Sequence, residues 1–290
     1  MSSGYASRLS EYKDKGVCGL PENKDTKRRL AVKLKRLTEL IQESNHTVVL
    51  TGAGISTSAG IPDFRGPQGI WTAESQRKRK RSKAPPISVS DFAQAQPTLT
   101  HRAILKLVEL GQVQYCITQN VDGLHRRSGL SRQYHSVLHG CVFTEVCEQC
   151  QIEHFRDYDV GGMSCQRTGR TCEECGGHLR DILLDWEDEL PEQDFERATD
   201  QCEQADLVIC LGTSLRIEPA GSLPTFAKKF VIVNLQETPY DDEAELIVRA
   251  PVDDVMNEVL AQLGHPDWDN EDREAKIQRK WKPPKTTKDK

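Results

Sequence analysis

The chain has 290 residues, of which 37% are hydrophobic and 29% charged, and its formal net charge is −5. This length and composition are typical of a globular protein with one large domain or two smaller ones. No apolar run approaches the ~20 residues that a transmembrane helix needs, so we expect no membrane span and no membrane partner. The first residues, MSSGYASRLSEYKDKG, lack the apolar segment of a secretory signal, which predicts an intracellular protein.

Positive charge is concentrated in two segments of the chain. Residues 76–83 include six basic residues and no acidic one, and residues 276–290 include seven basic residues and one acidic one. Together the two segments carry +12, which leaves −17 on the remaining residues. We expect the two basic segments to bind DNA phosphates. The acidic remainder suits basic protein substrates and is not expected to bind nucleic acid.

After a polar arm, residues 1–26, helical and strand patterns alternate along the chain. The leucines and isoleucine between Lys27 and Ser44 recur at helical spacing and predict an amphipathic helix. Further helices are predicted over Thr98–Leu110, Phe195–Ala205 and Val255–Leu263. Buried strands are predicted over Thr47–Leu50, Val113–Thr118, Asp206–Leu211 and Phe230–Val233.

This alternation predicts an α/β fold, a Rossmann-like parallel sheet with helices on both faces. We expect the sheet domain to be discontinuous, over residues 27–140 and 181–264, with a small zinc-binding module, residues 141–180, inserted into it. Residues 74–90 are predicted to form a basic loop, and residues 265–290 a disordered basic tail.

Four of the ten cysteines form two C-x₂-C pairs, and 21 residues separate the pairs. This spacing is typical of a four-thiolate zinc site, and a site closed by four thiolates is structural because it leaves no position for water. The sequence therefore predicts one structural zinc per chain, bound by Cys147, Cys150, Cys172 and Cys175. Cys141 and Cys165 are either spare ligands or packing residues. Cys116, Cys202 and Cys210 have apolar or helical surroundings in the sequence, which predict core positions for them.

A glycine turn, Gly52-Ala53-Gly54, follows the first predicted strand. As a dinucleotide fingerprint it is a weak indicator, because Thr57 replaces the third glycine and no clear acidic strand end follows at ~20 residues. Polar or glycine clusters also follow three later strands, at residues 119–123, 212–214 and 234–236. Because loops after parallel strands meet at one edge of the sheet, these clusters favour a nucleotide site there.

Six motifs, in order, resemble those of the sirtuins. They are residues 52–56 with 60–65, residues 119–125, residues 138–140, the two cysteine pairs, residues 212–215 and residues 233–236. Residues 12–22, 69–72, 185–188 and 252–256 resemble the nuclear, chromatin-associated class IV branch of that family. The resemblance covers roughly residues 10–264 and implies an NAD-dependent protein-lysine deacylase.

The resemblance implies catalytic roles for four residues. His139 matches the family's general base, a role that imidazole suits because it titrates near neutrality. Asn120 and Asp122 match the residues that orient the nicotinamide ribose and carboxamide, and Ser56 matches a serine at the ribose. Residues matching the NAD-binding positions are Gly52, Ala53, Gly54, Thr57, Asp63, Phe64, Arg65, Trp71, Gln119, His139, Gly212, Thr213, Ser214, Asn234, Leu235, Gln236 and Val252. Asp185 and Trp186 match the border of the acyl-lysine tunnel.

Two features depart from the family pattern. Cys141 stands where the family commonly has asparagine, and it either alters local packing or adds a thiol beside the active site. The basic run from Arg77 to Lys83 is not required by the class IV pattern. A solvated loop, a nuclear-import signal and a nucleic-acid patch are all consistent with such a run.

The implied reaction transfers a lysine acyl group to the ADP-ribose of NAD and releases nicotinamide. We expect histones and other chromatin proteins as substrates, and the nucleus as the location. Two alternatives remain open: protein mono-ADP-ribosyl transfer at the same site, and a mainly non-catalytic chromatin- or DNA-binding scaffold. A dehydrogenase is disfavoured, because the glycine turn lacks its acidic partner and a four-thiolate zinc cannot polarise a substrate carbonyl.

Overall fold

The computed structural model describes residues 5–12, 15–80 and 92–269. Within these ranges, no helix combines the length and the apolar character that spanning a bilayer requires. The helices are α1 (Tyr5–Arg8), α2 (Lys27–Glu43), α3 (Ile70–Lys80), α4 (Leu99–Glu109), α5 (Leu124–Arg127), α6 (Glu192–Gln204) and α7 (Val252–Gln262). The strands are β1 (Thr47–Thr51), β2 (Tyr115–Thr118), β3 (His135–Val137), β4 (Thr144–Cys147), β5 (Glu153–Phe155), β6 (Arg167–Thr171), β7 (His178–Asp181), β8 (Leu207–Leu211), β9 (Phe230–Val233) and β10 (Leu246–Val248).

The large sheet has six strands in the order β10-β9-β8-β1-β2-β3, and every neighbouring pair is parallel. All residues of β1, β2, β8 and β9 are buried, which explains why these strands read as nearly continuous apolar runs. From β1 the chain continues to β2 on one side, whereas β8 lies on the other. The strand order therefore reverses between β1 and β8, where ligands of such sheets bind.

Helices cover both faces of this sheet. Val49 of β1 packs in a core with residues of α2, α4 and α7, whereas Val48 and Leu50 pack on the opposite face with residues of α6. This alternation follows from the two-residue side-chain period of a strand. The predicted Rossmann-like architecture with helices on both faces is confirmed.

A small antiparallel sheet, in the order β5-β4-β7-β6, is inserted between β3 and α6. It carries the two cysteine pairs at its turns, so the predicted inserted module is also confirmed. Glu145 of β4 is fully buried there, and its carboxylate accepts hydrogen bonds from Arg156 (2.9 Å) and Arg170 (2.7 Å). The ion pair between Glu145 and Arg170 links β4 to β6. It stabilises a module whose apolar core is small.

Three features differ from the sequence predictions. Residues 74–80 of the predicted basic loop belong to α3, and residues 81–90 lie outside the described residues. The start of the predicted disordered tail is ordered, because Trp268 is buried and Asp269 binds the Arg102 guanidinium at 2.6 Å. Residues 270–290 lie outside the described residues. Strands β3 and β10 were not predicted, because each has only three residues.

Candidate active site and zinc centre

The glycine turn after β1 contacts the turn after β8. A Cβ atom on Gly54 would lie 2.8 Å from the Cα and carbonyl oxygen of Gly212, and one on Gly52 would lie 2.7 Å from the Cβ of Thr213. Gly212 also has a φ of +58°, which L side chains rarely adopt. Glycine at these positions therefore brings the two strand ends together at the point where the strand order reverses.

Three polar side chains form a buried cluster beside this turn. Ser56 Oγ donates to Asp122 Oδ2 at 2.7 Å, and Asn120 Nδ2 donates to the carbonyl oxygen of Gly52 at 3.0 Å. The backbone N–H of Leu124 donates to the other Asp122 oxygen at 2.9 Å. Burial raises the pKa of the Asp122 carboxyl, and these hydrogen bonds oppose that rise. The structure thus brings Ser56, Asn120 and Asp122 together, as the resemblance implies.

The imidazole of His139 lies next to this cluster, just after β3. Its Nδ1 is 3.1 Å from the carbonyl oxygen of Gln119, which can only accept a hydrogen bond. Nδ1 therefore carries the proton, and Nε2 keeps its lone pair. Burial lowers the pKa of His139 to about 4, so the ring is neutral at physiological pH. A neutral ring with an available lone pair can accept a proton.

These residues face a cleft of about 730 Å³ at the carboxyl ends of the strands. That volume is within the ~300–1,000 Å³ of small-molecule and cofactor sites. Of the predicted site residues, those that line it are Gly52, Ala53, Gly54, Ser56, Asp63, Phe64, Arg65, Trp71, Gln119, Asn120, Asp122, His139, Asp185, Trp186, Gly212, Thr213, Ser214, Asn234 and Gln236.

Three predicted cofactor residues do not line the cleft. Thr57 is exposed, and its hydroxyl donates to the carbonyl oxygen of Gly54 at 3.1 Å, which stabilises the turn. Val252 starts α7 and is buried in the core on one face of the sheet. The carbonyl oxygen of Leu235 accepts a hydrogen bond from the Asn23 N–H at 2.8 Å. These residues lie within matching motifs, but the contacts that the structure gives them are structural: a side-chain contact for Thr57 and Val252, and a main-chain hydrogen bond for Leu235.

Aromatic side chains in contact with one another line part of the cleft. The Trp71 ring lies 4.5 Å from Phe64 and 5.0 Å from Trp186, and the Arg65 guanidinium lies 4.6 Å from the Trp71 centroid. Among the polar lining residues, Gln119 Nε2 donates to Thr213 Oγ1 at 3.1 Å. The lining of the cleft thus combines aromatic and cationic side chains with amide and hydroxyl groups.

The N-terminal arm contributes to this cleft, which the sequence did not predict. Tyr5 and Leu9 line the cleft, and Tyr12 stacks on Trp186 with ring centroids 4.6 Å apart. Gln236 Nε2 donates to the carbonyl oxygen of Leu20 at 2.6 Å. The arm has no periodic pattern, so nothing in its composition indicates these contacts.

Cys141 is a packing residue. It is buried in an apolar cluster with Val142 and Phe143, and its sulfur would lie 3.3 Å from a Cβ on Gly123. It lines none of the large cleft, and burial raises the pKa of its thiol. The Cys141 thiol therefore packs beside the active-site residues Asn120 and Asp122, with which it lines a small pocket, and not in the large cleft itself.

The four predicted zinc ligands converge in the small module. Their sulfur atoms all lie within 4.8 Å of one another, with Cys147–Cys175 at 3.4 Å and Cys150–Cys172 at 3.7 Å. A tetrahedral zinc with bonds of ~2.3 Å requires sulfur–sulfur distances of about 3.8 Å, so the four thiols fit this ion. All ten cysteines are free of disulfides, and Cys141 and Cys165 are not part of the cluster.

A buried histidine that the sequence did not indicate contacts the four-cysteine cluster. His154 is buried, and its Nε2 lies 3.3 Å from Cys172 Sγ, while its Nδ1 lies 3.2 Å from a Glu173 oxygen. A histidine outside the C-x₂-C pairs gives no spacing signal, so only the fold reveals this contact.

Comparisons with known proteins agree with this geometry. A model of the Sir2 family matches residues 52–219, which is more than half of the chain. The chain belongs to the Sir2 family, the sirtuins. It is 47% identical over 279 residues to the NAD-dependent protein deacetylase Sirt6 of Drosophila melanogaster, covering 91% of this chain and 86% of the fly protein.

Other relatives are similar to this sirtuin over different shares of their length. The NAD-dependent protein deacetylase SRT1 of Oryza sativa subsp. indica is 45% identical over 91% of this chain, but the chain covers only 55% of the rice protein. A solved Sir2 structure with a p53 peptide and NAD⁺ is 33% identical, with a TM-score of 0.60, and covers 80% of this chain and 99% of the solved one.

The cleft of this sirtuin fits the NAD that the family implies. Its volume, the close glycine turns and the Arg65 guanidinium suit a dinucleotide with a pyrophosphate, because arginine binds phosphate oxygens in a bidentate manner. The lone pair on His139 Nε2 and the Asn120 amide lie in the same cleft. The four-cysteine cluster likewise fits a structural zinc.

Proposed function

We propose that this sirtuin is an NAD-dependent protein-lysine deacylase whose substrates are acylated histones and other chromatin proteins. The observation that carries the proposal is the position of His139, neutral and hydrogen-bonded through Nδ1, in one cleft with Ser56, Asn120 and Asp122. The proposal is supported by relatives that are named NAD-dependent protein deacetylases. It is also supported by a similar solved structure that is named as Sir2 bound to an acetylated peptide.

Each side chain has a defined task in this proposal. The acyl-lysine oxygen attacks C1′ of the nicotinamide ribose, the bond to nicotinamide breaks, and His139 Nε2 accepts a ribose hydroxyl proton. Asn120 and Asp122 orient the ribose, and Ser56 holds the Asp122 carboxylate through its hydroxyl. Water is consumed, and the products are nicotinamide, O-acyl-ADP-ribose and free lysine. Trp186, which lines the cleft, borders the acyl-lysine.

The decisive experiment incubates the purified protein and NAD with acetylated and long-chain-acylated histone peptides, free or within nucleosomes. We expect nicotinamide and O-acyl-ADP-ribose in equal amounts, and His139→Tyr should abolish both. Absence of nicotinamide with every substrate would refute the proposal. Mass spectrometry also separates the alternative chemistry, because an ADP-ribosylated protein without O-acyl-ADP-ribose would indicate transfer to protein.

Charge supports the choice of chromatin and a nuclear location. The two basic segments carry +12, against −17 on the rest of the chain. The acidic remainder of the chain would attract substrates with basic tails. Residues 76–83 and 276–290 would bind DNA phosphates. Only residues 76–80 of these segments are among the described ones.

Deleting both basic segments tests the DNA part of the proposal. We expect weaker binding to duplex DNA and a shallower dependence of log K on log salt, by about 0.9 for each lost phosphate contact. Fluorescence anisotropy over a salt series measures both. Unchanged affinity and slope would exclude these segments as the DNA-binding surface.

A further inference from the structure

A buried chain of hydrogen bonds lies beneath the active site. His125 Nε2 lies 2.9 Å from Thr51 Oγ1, and Thr51 Oγ1 donates to Thr118 Oγ1 at 2.8 Å. Thr118 Oγ1 in turn accepts a hydrogen bond from the backbone N–H of Asn120 at 3.1 Å. All three side chains that lead to Asn120 are at most 2% exposed. None of them lines the large cleft.

The direction of the hydrogen bond at the Asn120 end of this chain follows from the groups it joins. A backbone N–H can only donate, so Thr118 Oγ1 accepts from Asn120. Thr51 Oγ1 also lies 3.3 Å from the carbonyl oxygen of Ile117. When the single hydroxyl proton of Thr51 is directed at Thr118, Thr51 accepts from His125 Nε2–H. Burial lowers the pKa of His125 to about 3, so the ring is neutral and has one proton to donate. The chain thus runs from His125 to Asn120 without an unpaired link.

Thr51 and Thr118 are the last residues of the two strands that lead into the active-site turns. Thr51 ends β1 and precedes Gly52, whose carbonyl oxygen accepts from Asn120 Nδ2 at 3.0 Å. Thr118 ends β2 and precedes Gln119, whose carbonyl oxygen lies 3.1 Å from His139 Nδ1. The Thr51–Thr118 bond therefore fixes the relative position of both turns, and with them the Asn120 amide and the His139 ring.

We propose that His125, Thr51 and Thr118 form a positioning relay, which holds the backbone and side-chain amide of Asn120 in the orientation that the reaction needs. The inference rests on the proposed deacylase function. None of the three residues touches substrate, so their effect is exerted through Asn120 and the two strand-end turns.

Isosteric variants test the relay without a large change of volume. Thr51→Val and Thr118→Val remove one hydroxyl each, whereas Thr51→Ser and Thr118→Ser retain it. A hydrogen bond contributes ~0.5–1.5 kcal/mol, so we expect each valine variant to lower kcat by up to about tenfold. KM for the acetylated peptide should stay constant, and each serine variant should recover most of the kcat.

Tyr115→Phe is a matched structural control. Tyr115 OH and Ser136 Oγ form a buried hydroxyl–hydroxyl bond of 2.8 Å between β2 and β3, equal in length to the Thr51–Thr118 bond. Tyr115 starts β2 at the end remote from Asn120. Loss of the Tyr115 hydroxyl should lower the melting temperature about as much as the two valine substitutions do, and kcat should stay unchanged. Equal losses of kcat in Tyr115→Phe and Thr118→Val would refute the relay.

Hydrogen exchange provides a readout that does not depend on activity. Thr118→Val should accelerate exchange of the Asn120 amide, measured by NMR, while amides in the middle of β2 keep their protection. If wild-type protein releases no nicotinamide but this exchange effect is present, the proposed function fails and the relay stands. If the Asn120 amide exchanges as in wild type, the relay is wrong whatever the activity.

Discussion

His139 and Gln119 are joined by a hydrogen bond of 3.1 Å between the ring Nδ1 and the main-chain carbonyl oxygen. The bond selects the tautomer with its lone pair on Nε2. Burial lowers the pKa of His139 from 6.5 to about 4. The form that can accept a proton is therefore the deprotonated one, and it persists from alkaline pH down to mildly acidic pH.

The pH dependence of kcat/KM follows from this pKa. We expect the acid limb that belongs to His139 to lie well below pH 6, because kcat/KM reports groups of the free enzyme. Initial rates of nicotinamide release from pH 4.5 to 8, at substrate concentrations below KM, measure it. An acid limb centred near 6.5 would show that His139 is exposed to solvent and contradict the geometry.

His154 provides a second prediction, since its Nε2 contacts the Cys172 sulfur at 3.3 Å. Replacing it by alanine removes a hydrogen bond to a zinc ligand, and such changes lower metal affinity by about 10- to 100-fold. Competition with a chromogenic chelator measures zinc retention. His178→Ala is the control, because His178 is an exposed residue of the same small sheet. Equal zinc loss in both variants would assign the effect to general loosening of the module.

Much of the site was predictable because short-range patterns and strand order determine it. Residues directly after buried parallel strands converge at one sheet edge, so Gly52, Asn120 and Gly212 meet although they are far apart in sequence. The cysteine spacing similarly predicts the zinc cluster, because two sulfurs of a C-x₂-C turn can reach one ion. In both cases local geometry leaves few alternatives.

The missed residues depend on tertiary contacts without a local pattern. Tyr5 and Leu9 reach the cleft only because the arm folds back over it, and His154 meets Cys172 through strand pairing. Conversely, Val252 lies within a matching motif but faces the core, because the first residue of α7 is buried against the sheet. Motif position therefore predicts proximity to the site better than it predicts the direction of a side chain.

Three adjacent buried histidines predict acid sensitivity of the fold. His101, His125 and His135 are buried, with ring centroids 4.7 and 5.2 Å apart, and burial lowers the pKa of each below 6.5. In the unfolded chain they bind protons below about pH 6.5, whereas in the folded chain they do not. Their contribution to stability is therefore complete above pH 6.5 and is lost as the pH falls toward their folded pKa values.

The free energy of unfolding should fall by about 1.4 kcal/mol per pH unit for each of these histidines below pH 6. Urea unfolding between pH 7.5 and 4.5 measures this slope. Both ring nitrogens of His135 lack a hydrogen-bond partner among the described residues, so His135→Phe removes one titrating group at little cost. We expect a shallower slope for this variant, and an unchanged slope would contradict the assignment.

Gly140, which directly follows His139, sets up the last prediction. It has a φ of +81°, and a Cβ there would lie 1.9 Å from the carbonyl oxygen of Ile182. Gly161 has a similar φ of +76°, but a Cβ there would meet no atom within 4 Å. Alanine at either position carries the backbone penalty of ~1–2 kcal/mol, and only Gly140→Ala adds a clash with a main chain that cannot move independently.

We therefore expect Gly161→Ala to lower the melting temperature moderately and to keep kcat/KM near the wild-type value. Gly140→Ala should lower the melting temperature further and reduce kcat/KM by more than tenfold. The turn that would be displaced carries His139, and Ile182 on the other side of the clash leads into the segment with Asp185 and Trp186. Thermal unfolding and nicotinamide release measure the two quantities on the same preparations. Equal losses in the two variants would mean that backbone strain, and not the close approach to Ile182, decides the effect at Gly140.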